Sequence, residues 1–156
     1  MSCPSVRKAE RQSMKVQDLN GSEVTWLGQM QEAGRLLHQV YVGQVDGLPD
    51  LPGLDQVWVK WQSDRTNERP EANSVVNALG LCFGQQLVDR LGFRWAVIAD
   101  EYGTELGCIA QPGDITVFPA NATAKRIEKG AHPFFAELFS QVEARVRALH
   151  RQPPRQ

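Results

Sequence analysis

The stretch DEYGTE, from Asp100 to Glu105, holds the residue types best suited to chemistry in this chain. It brings three carboxylates together with Tyr102 and Gly103. If Asp100 and Glu105 faced each other across a hairpin, their Cβ atoms would lie about 4.5–5.5 Å apart. Retaining glycosidases hold their two carboxyl groups about 5–5.5 Å apart. A small hydrolase that uses Asp100, Glu101 or Glu105 is therefore one hypothesis for this stretch.

The same residues also suit the turn of a β-hairpin. Asp100 is typical of the first turn position, and Glu101 and Tyr102 can occupy the centre. Gly103 can adopt the left-handed conformation that closes a bulged hairpin. A glycosidase would also need a deep cleft, for which the chain has little further material, and the spacing does not match a calcium-binding loop. We interpret the stretch as a turn and predict no catalytic residue in it.

Signatures of other chemistry are missing from the sequence. The cysteines, Cys3, Cys82 and Cys108, are widely spaced and form no CxxC pair, which argues against a disulfide framework and a zinc site. The histidines form no metal-binding motif, and the sequence has neither a GxSxG motif nor a phosphate-binding loop. We predict no cofactor and no metal, and the sequence favours a protein without enzymatic activity.

Charge is unevenly distributed along the chain. Residues 1–21 carry a net charge of +2 and residues 145–156 of +4, so that residues 22–144 carry −7. Nucleic-acid binding would need a basic face on the body, because neutralised phosphates supply most of its affinity. An acidic body suits a basic protein partner through charge complementarity. We therefore expect a protein partner, basic in character, and no nucleic acid.

A second charged cluster is the segment AKRIEKG, residues 124–130. Its charges include Lys125 and Arg126, and we favour a solvated face with local ion pairs. The alternative is a basic patch that meets an acidic partner.

The N-terminal stretch carries charges and no apolar region, which argues against a signal peptide. The longest apolar runs of the sequence are far too short for a membrane span. Together with the cysteine pattern, these features predict a cytoplasmic protein. We expect a disordered lead over residues 1–18, a single domain over residues 19–150 and a disordered tail over residues 151–156.

Apolar periodicity predicts the order of the elements. Helical spacing predicts a helix from about residue 22 to 44, a short helix within residues 54–64 (with a strand as the alternative), and the clearest helix over residues 73–92. Period-two patterns predict strands in FRWAVIAD, ELGCIA and DITVFP, joined by short turns. Two further helices follow. The prediction is an α+β fold with helices packed on one face of a small three-stranded antiparallel meander, in the order α-α-α-β-β-β-α-α.

Gly80 and Gly84 lie one turn apart on the same face of the predicted helix over residues 73–92. Each glycine costs about 1 kcal/mol of helix propensity relative to alanine. We expect a strand or helix to approach the helix backbone closely at these two positions, which would offset that cost.

Several separated elements in a fixed order carry a family resemblance. They are Gly80 and Gly84, Leu91-Gly92, Trp95, Asp100 to Gly103, Phe118-Pro119 and Lys125-Arg126. With this pattern, residues 73–130 resemble a bacterial family, the domain of unknown function 3806, and the resemblance extends weakly to residues 54–149. The resemblance implies a bacterial origin and a core of a helix and a meander. It implies no established activity.

We predict a non-enzymatic module that binds another protein in an immunity-type or regulatory role. The hydrolase is one alternative. A homodimeric structural protein is another, and it would expose an apolar stripe on the first or last helix. The candidate interaction residues are Trp95, Asp100, Glu101, Tyr102, Gly103, Glu105, Lys125 and Arg126.

Overall fold

A computed structural model describes residues 14–151 as five α-helices and four strands. In chain order they are β1 (Lys15–Gln17), α1 (Gly21–Tyr41), α2 (Leu51–Ser63), α3 (Ala72–Leu91), β2 (Arg94–Asp100), β3 (Gly103–Ala110), β4 (Ile115–Val117), α4 (Pro119–Ala124) and α5 (Phe135–His150). A 3-10 turn, Ile127–Lys129, lies between α4 and α5. The α+β class is confirmed.

The sheet has four antiparallel strands, in the order β1-β2-β3-β4, where the sequence predicted three. The predicted meander is present as β2, β3 and β4, and β1 adds to the edge of β2 with Val16 opposite Ile98. Lys15–Gln17 falls within the lead that was predicted to be disordered, so the element order begins with a strand. Three residues show too little alternation for a period of two to be detected. Residues 1–13 of that lead and residues 152–156 of the predicted tail lie outside the described residues.

Side-chain caps begin the first two long helices. Glu23 N donates to Oδ1 of Asn20 over 2.8 Å and Asn20 N to Oε1 of Glu23 over 2.7 Å, which forms a capping box at the start of α1. Asp50 accepts a backbone hydrogen bond of 2.8 Å at the start of α2. The short helix predicted within residues 54–64, for which a strand was the alternative, is confirmed as part of α2. Trp58 and Trp61 are both buried on it.

The main core surrounds α3, which is buried along most of its length. It joins α2, α3 and α5 to one face of the sheet. On that face the Cys108 thiol on β3 lies 3.8 Å from the carbonyl oxygen of Gly84 and donates to it. The largest fully buried side chains of this core are Trp58, Trp61, Phe83 and Phe135. A smaller buried cluster consists of Ala96, Ile98, Ile109 and Phe118.

The close approach predicted at the two helix glycines is confirmed. A Cβ atom on Gly80 would lie 2.9 Å from Cα of Ala120, and one on Gly84 would lie 2.3 Å from Cη2 of Trp95. α4 and the Trp95 side chain of β2 therefore lie directly against the backbone of α3.

The partly buried hydroxyl of Tyr41, which joins the end of α1 to the end of α2, makes stability depend on pH in the alkaline range. The Tyr41 hydroxyl donates to Oδ2 of Asp64 over 2.5 Å. Burial, helped by this bond, raises the pKa of Tyr41 from its ordinary 10.0 to about 12. A raised pKa means that the neutral phenol stabilises the fold fully below about pH 10, and that this contribution is lost as the pH rises towards about 12.

We expect the difference in free energy of unfolding between the wild type and Tyr41→Phe to shrink as the pH rises from about 10 to about 12. Urea denaturation of both proteins across this interval measures the difference. The cysteine thiols are common to both proteins, so their titration cancels. A difference that stays constant with pH would contradict the assignment.

Candidate functional site: a cationic pocket

The stretch DEYGTE forms the predicted hairpin turn between β2 and β3. Glu101 and Tyr102 are the turn residues, and Asp100 is paired with Gly103. The Asp100 carboxylate accepts from the backbone N–H of Tyr102 at 2.8 Å, as expected for aspartate at the first turn position. Gly103 has φ +129°, a value that glycine tolerates. The hairpin has no bulge, because the pairing runs from Asp100 back to Arg94 without an extra residue.

The regular register changes the geometry of the carboxylates. Glu105 lies opposite Ile98 and not opposite Asp100. Asp100 and Glu105 are thus diagonal neighbours, which in antiparallel pairs lie about 7–8 Å apart. The comparison with glycosidases assumed that Asp100 and Glu105 face each other across the hairpin, and this assumption is wrong. Glu101 is exposed at the tip. A hydrolase role for these residues stays a hypothesis.

Trp95, another candidate residue, has a packing role in the described structure. Its ring lies against Gly84, and its Nε1 donates to Oε1 of Gln85 over 3.0 Å. Trp95 therefore joins β2 to α3. The structure does not bring it or the hairpin tip to the second candidate cluster, since none of these residues lines the pocket at Lys125 and Arg126.

That pocket is a cavity of about 490 Å³ between β4, the α4–turn segment and α5. Apolar side chains form its floor, and four cationic side chains and one glutamine form its rim. The floor consists of Ile115, Val117, Ala122, Leu138 and Val142. The rim consists of Lys125, Arg126, Lys129, Gln141 and Arg145.

The rim cations have no anionic partner among the described residues. Residues 14–151 contain ion pairs elsewhere, such as Arg147 with Glu143, but none involves a rim side chain. Glu128 lies between the rim cations in sequence and does not line the pocket. Because like charges close together repel, an anion bound here would relieve that repulsion as well as attract each cation. The sequence predicted a solvated face with local ion pairs for residues 124–130. Among the described residues, its cations Lys125, Arg126 and Lys129 form no ion pair.

The walls of the pocket are held by side chains from α2. The Asp55 carboxylate accepts from the backbone N–H groups of Phe134 and Phe135 at 2.9 and 2.7 Å, which fixes the start of α5. The indole N–H of Trp58 donates to the carbonyl oxygen of Gly130 over 3.0 Å, which fixes the end of the rim segment. The guanidinium of Arg126 also lies 5.4 Å from the centre of the Phe134 ring. A buried helix thus orients both sides of the pocket.

The sequence interpretation found Lys125 and Arg126 but missed Arg145 and the apolar floor. It assigned Arg145 to the basic end of the chain. A usable signal was present, because Leu138, Val142 and Arg145 follow one another at helical spacing and so share a face of α5. No local pattern predicted that this face of α5 packs beside the segment after α4.

Comparison with known proteins assigns the family. The sequence profile of the Domain of unknown function (DUF3806) matches residues 55–139, from α2 into α5. The chain belongs to the DUF3806 family. In this DUF3806 chain the matched region contains Asp55 and three rim cations, while Arg145 lies beyond it. No curated protein matches the chain.

A crystal structure of a protein from Bacteroides thetaiotaomicron VPI-5482 has a similar fold, with a TM-score of 0.65 and 16% sequence identity. The similarity covers 87% of the DUF3806 chain and 49% of the other, so the chain spans about half the length of that protein. At this identity the likeness concerns the fold alone.

Within residues 14–151 of the DUF3806 chain, no helix is both long and apolar enough to cross a membrane. The same residues contain no group of three or more His, Cys, Asp or Glu side chains placed to hold a metal ion.

Proposed function

We propose that the chain is a non-enzymatic protein-binding module, and that its pocket binds an acidic segment of the partner. The observation that carries this proposal is the set of rim cations, which have no carboxylate among the described residues and surround an apolar floor. An immunity-type or regulatory role in the bacterial cytoplasm is the setting we propose for such a module.

The charge of the rest of the chain adds selectivity to this site. Residues 22–144 carry a net charge of −7, whereas the pocket that they contribute to is positive. An acidic partner would be repelled by the net negative charge of this body and attracted at the pocket. Local complementarity of this kind steers association and selects the orientation of the partner. The pocket therefore favours an acidic partner, whereas the basic partner expected from the net charge stays a prediction.

Fluorescence anisotropy with a labelled glutamate-rich peptide that contains one tryptophan tests the proposal. The test variant reverses two rim charges, Lys129→Glu together with Arg145→Glu. The control variant, Lys60→Glu together with Arg65→Glu, reverses two exposed charges that lie outside the pocket and has the same net charge. We expect the rim variant to weaken binding by about ten- to thirtyfold, since two exposed charge contacts contribute up to about 1 kcal/mol each and the reversed charges repel the peptide.

The control variant should keep its dissociation constant within about twofold of the wild type, and wild-type binding should weaken as salt rises. An equal loss in both variants would mean that only net charge matters and would reject the pocket as the site. The absence of binding to any acidic peptide would reject the proposed function.

A homodimer is the second candidate, favoured by exposed apolar side chains on α1. Trp26, Leu36 and Val40 are 39%, 46% and 75% exposed. Their spacing places them along one flank of the helix. Sedimentation velocity that finds only monomer at high protein concentration would reject this candidate.

A further inference from the structure

Resting on the proposed function, we propose that the partner segment inserts one bulky apolar side chain into the pocket and places a carboxylate on each side of it. The partner is thus an acidic–apolar–acidic linear segment of a protein. The inference concerns the chemistry of the occupant, which the positive charge of the rim alone does not specify.

The apolar floor of the pocket indicates an apolar occupant. Ile115, Val117 and Val142 are almost fully buried, and together with Ala122 and Leu138 they leave a cavity of about 490 Å³ above them. A carboxylate alone would neither fill this space nor cover the apolar surface. Cavities of about 300–1,000 Å³ lined by apolar groups with a few polar ones are typical of sites that enclose most of what they bind.

The expected size of each contribution supports an apolar anchor. An exposed ion pair changes affinity by about fivefold at most. Full burial of a bulky apolar side chain changes affinity by about ten- to 150-fold. The anchor should therefore supply most of the affinity, and the carboxylates should supply selectivity.

The placement of the cations sets the order of charges in the partner. Lys125 and Lys129 come from the segment that follows α4, on one wall of the pocket. Arg145 comes from a different element, α5, which forms another wall. An anchor that enters between these walls has cations on both sides, so acidic residues should flank it in both directions.

The floor also argues against nucleic acid as the occupant. Proteins that bind single strands combine cations with aromatic side chains on which bases stack. No aromatic residue lines this pocket. The aliphatic floor suits a protein side chain better than a stacked base.

The test measures the binding of three labelled peptides to the full chain by fluorescence anisotropy. In the first peptide glutamates flank a tryptophan, in the second glutamates flank an alanine, and in the third lysines flank a tryptophan. The protein variant Gln141→Trp places a large side chain at the rim to fill the cavity. Ser140→Trp, one residue away and outside the pocket lining, is the matched control. Circular dichroism and the midpoint of thermal unfolding establish that both variants are folded.

We expect the exchange of tryptophan for alanine in the acidic peptide to weaken binding at least about tenfold. Gln141→Trp should weaken binding of the tryptophan peptide by a similar factor, while Ser140→Trp should leave it unchanged. The lysine-flanked peptide should not bind.

The outcomes separate this inference from the function on which it rests. If both acidic peptides bind equally and rim charge reversal abolishes binding, the proposed function stands and the anchor is overturned. If no acidic peptide binds, both fail. If decanoate displaces the tryptophan peptide and itself binds more tightly, the pocket is a site for small amphipathic acids and the inference is overturned.

Discussion

Replacement of Asp55 by alanine should lower the free energy of unfolding by about 2–4 kcal/mol. The Asp55 carboxylate, on α2, accepts from the backbone N–H groups of Phe134, Phe135 and Ala136 at 2.9, 2.7 and 3.2 Å. N–H groups in the first turn of a helix have no acceptor within their own helix. The carboxylate also places negative charge at the positive end of the helix dipole. One side chain thus supplies the cap of α5 and joins two elements of the core.

Asp50→Ala is the matched control for this prediction. Asp50 also caps a helix, but it accepts one backbone hydrogen bond at the start of its own helix, α2. Its loss should lower stability by about 1 kcal/mol. Urea denaturation followed by circular dichroism measures both variants. Equal losses would contradict the special role assigned to Asp55.

A second effect of Asp55→Ala should appear in binding. α5 supplies Leu138, Val142 and Arg145 to the pocket. A loosened start of this helix should therefore weaken binding of the acidic peptide. Asp50→Ala leaves the α5 cap intact and should not. Binding measured well below the unfolding temperature separates this effect from loss of folded protein.

Replacement of Gly80 by alanine should lower the free energy of unfolding by about 1–3 kcal/mol, although alanine is the better helix former. The new Cβ would lie 2.9 Å from Cα of Ala120 and 3.0 Å from the carbonyl oxygen of Pro119. Both are backbone atoms, so no side-chain rotation can relieve the contact. α4 must shift away from α3, and the pocket rim that follows α4 must shift with it.

Gly28→Ala is the control for the helix effect. Gly28 lies in α1, and a Cβ there would have no atom within 4 Å. It should therefore gain up to about 1 kcal/mol from improved helix propensity. Thermal and urea unfolding of both variants should give opposite signs. A stabilised Gly80→Ala would show that α4 adapts easily and that the close approach does not explain the glycine.

Local residue patterns predicted the helices and turns that are determined by residues close together in sequence. The apolar spacing along residues 73–92 predicted α3, and Gly92, at φ +76°, ends it as glycines commonly do. The order Asp100, Glu101, Tyr102, Gly103 predicted the hairpin turn. Gly80 and Gly84 even predicted a tertiary contact, because two glycines on one buried helix face need a reason beyond helix propensity.

Patterns that were short or balanced gave incomplete predictions. β1 has only three residues, too few for a periodic pattern to be detected. Its pairing with β2 places Val16 opposite Ile98, a residue about eighty positions away in sequence. In residues 54–64 the aliphatic residues alone fit both a helix and a strand, so the predicted short helix kept a strand as its alternative. Burial of Trp58 and Trp61 against α5 and the rest of the core confirms the helix.

The pocket depends almost wholly on tertiary structure. Lys129 and Arg145 lie on different elements, and they share a rim because α5 packs beside the segment after α4. That packing is set by Asp55 and Trp58, whose hydrogen bonds reach residues more than seventy positions away. The composition established an acidic body with few signatures of catalysis, since charges and motifs are local properties. Which charges lack partners depends on the relative positions of distant residues, and those positions exist only in the folded chain.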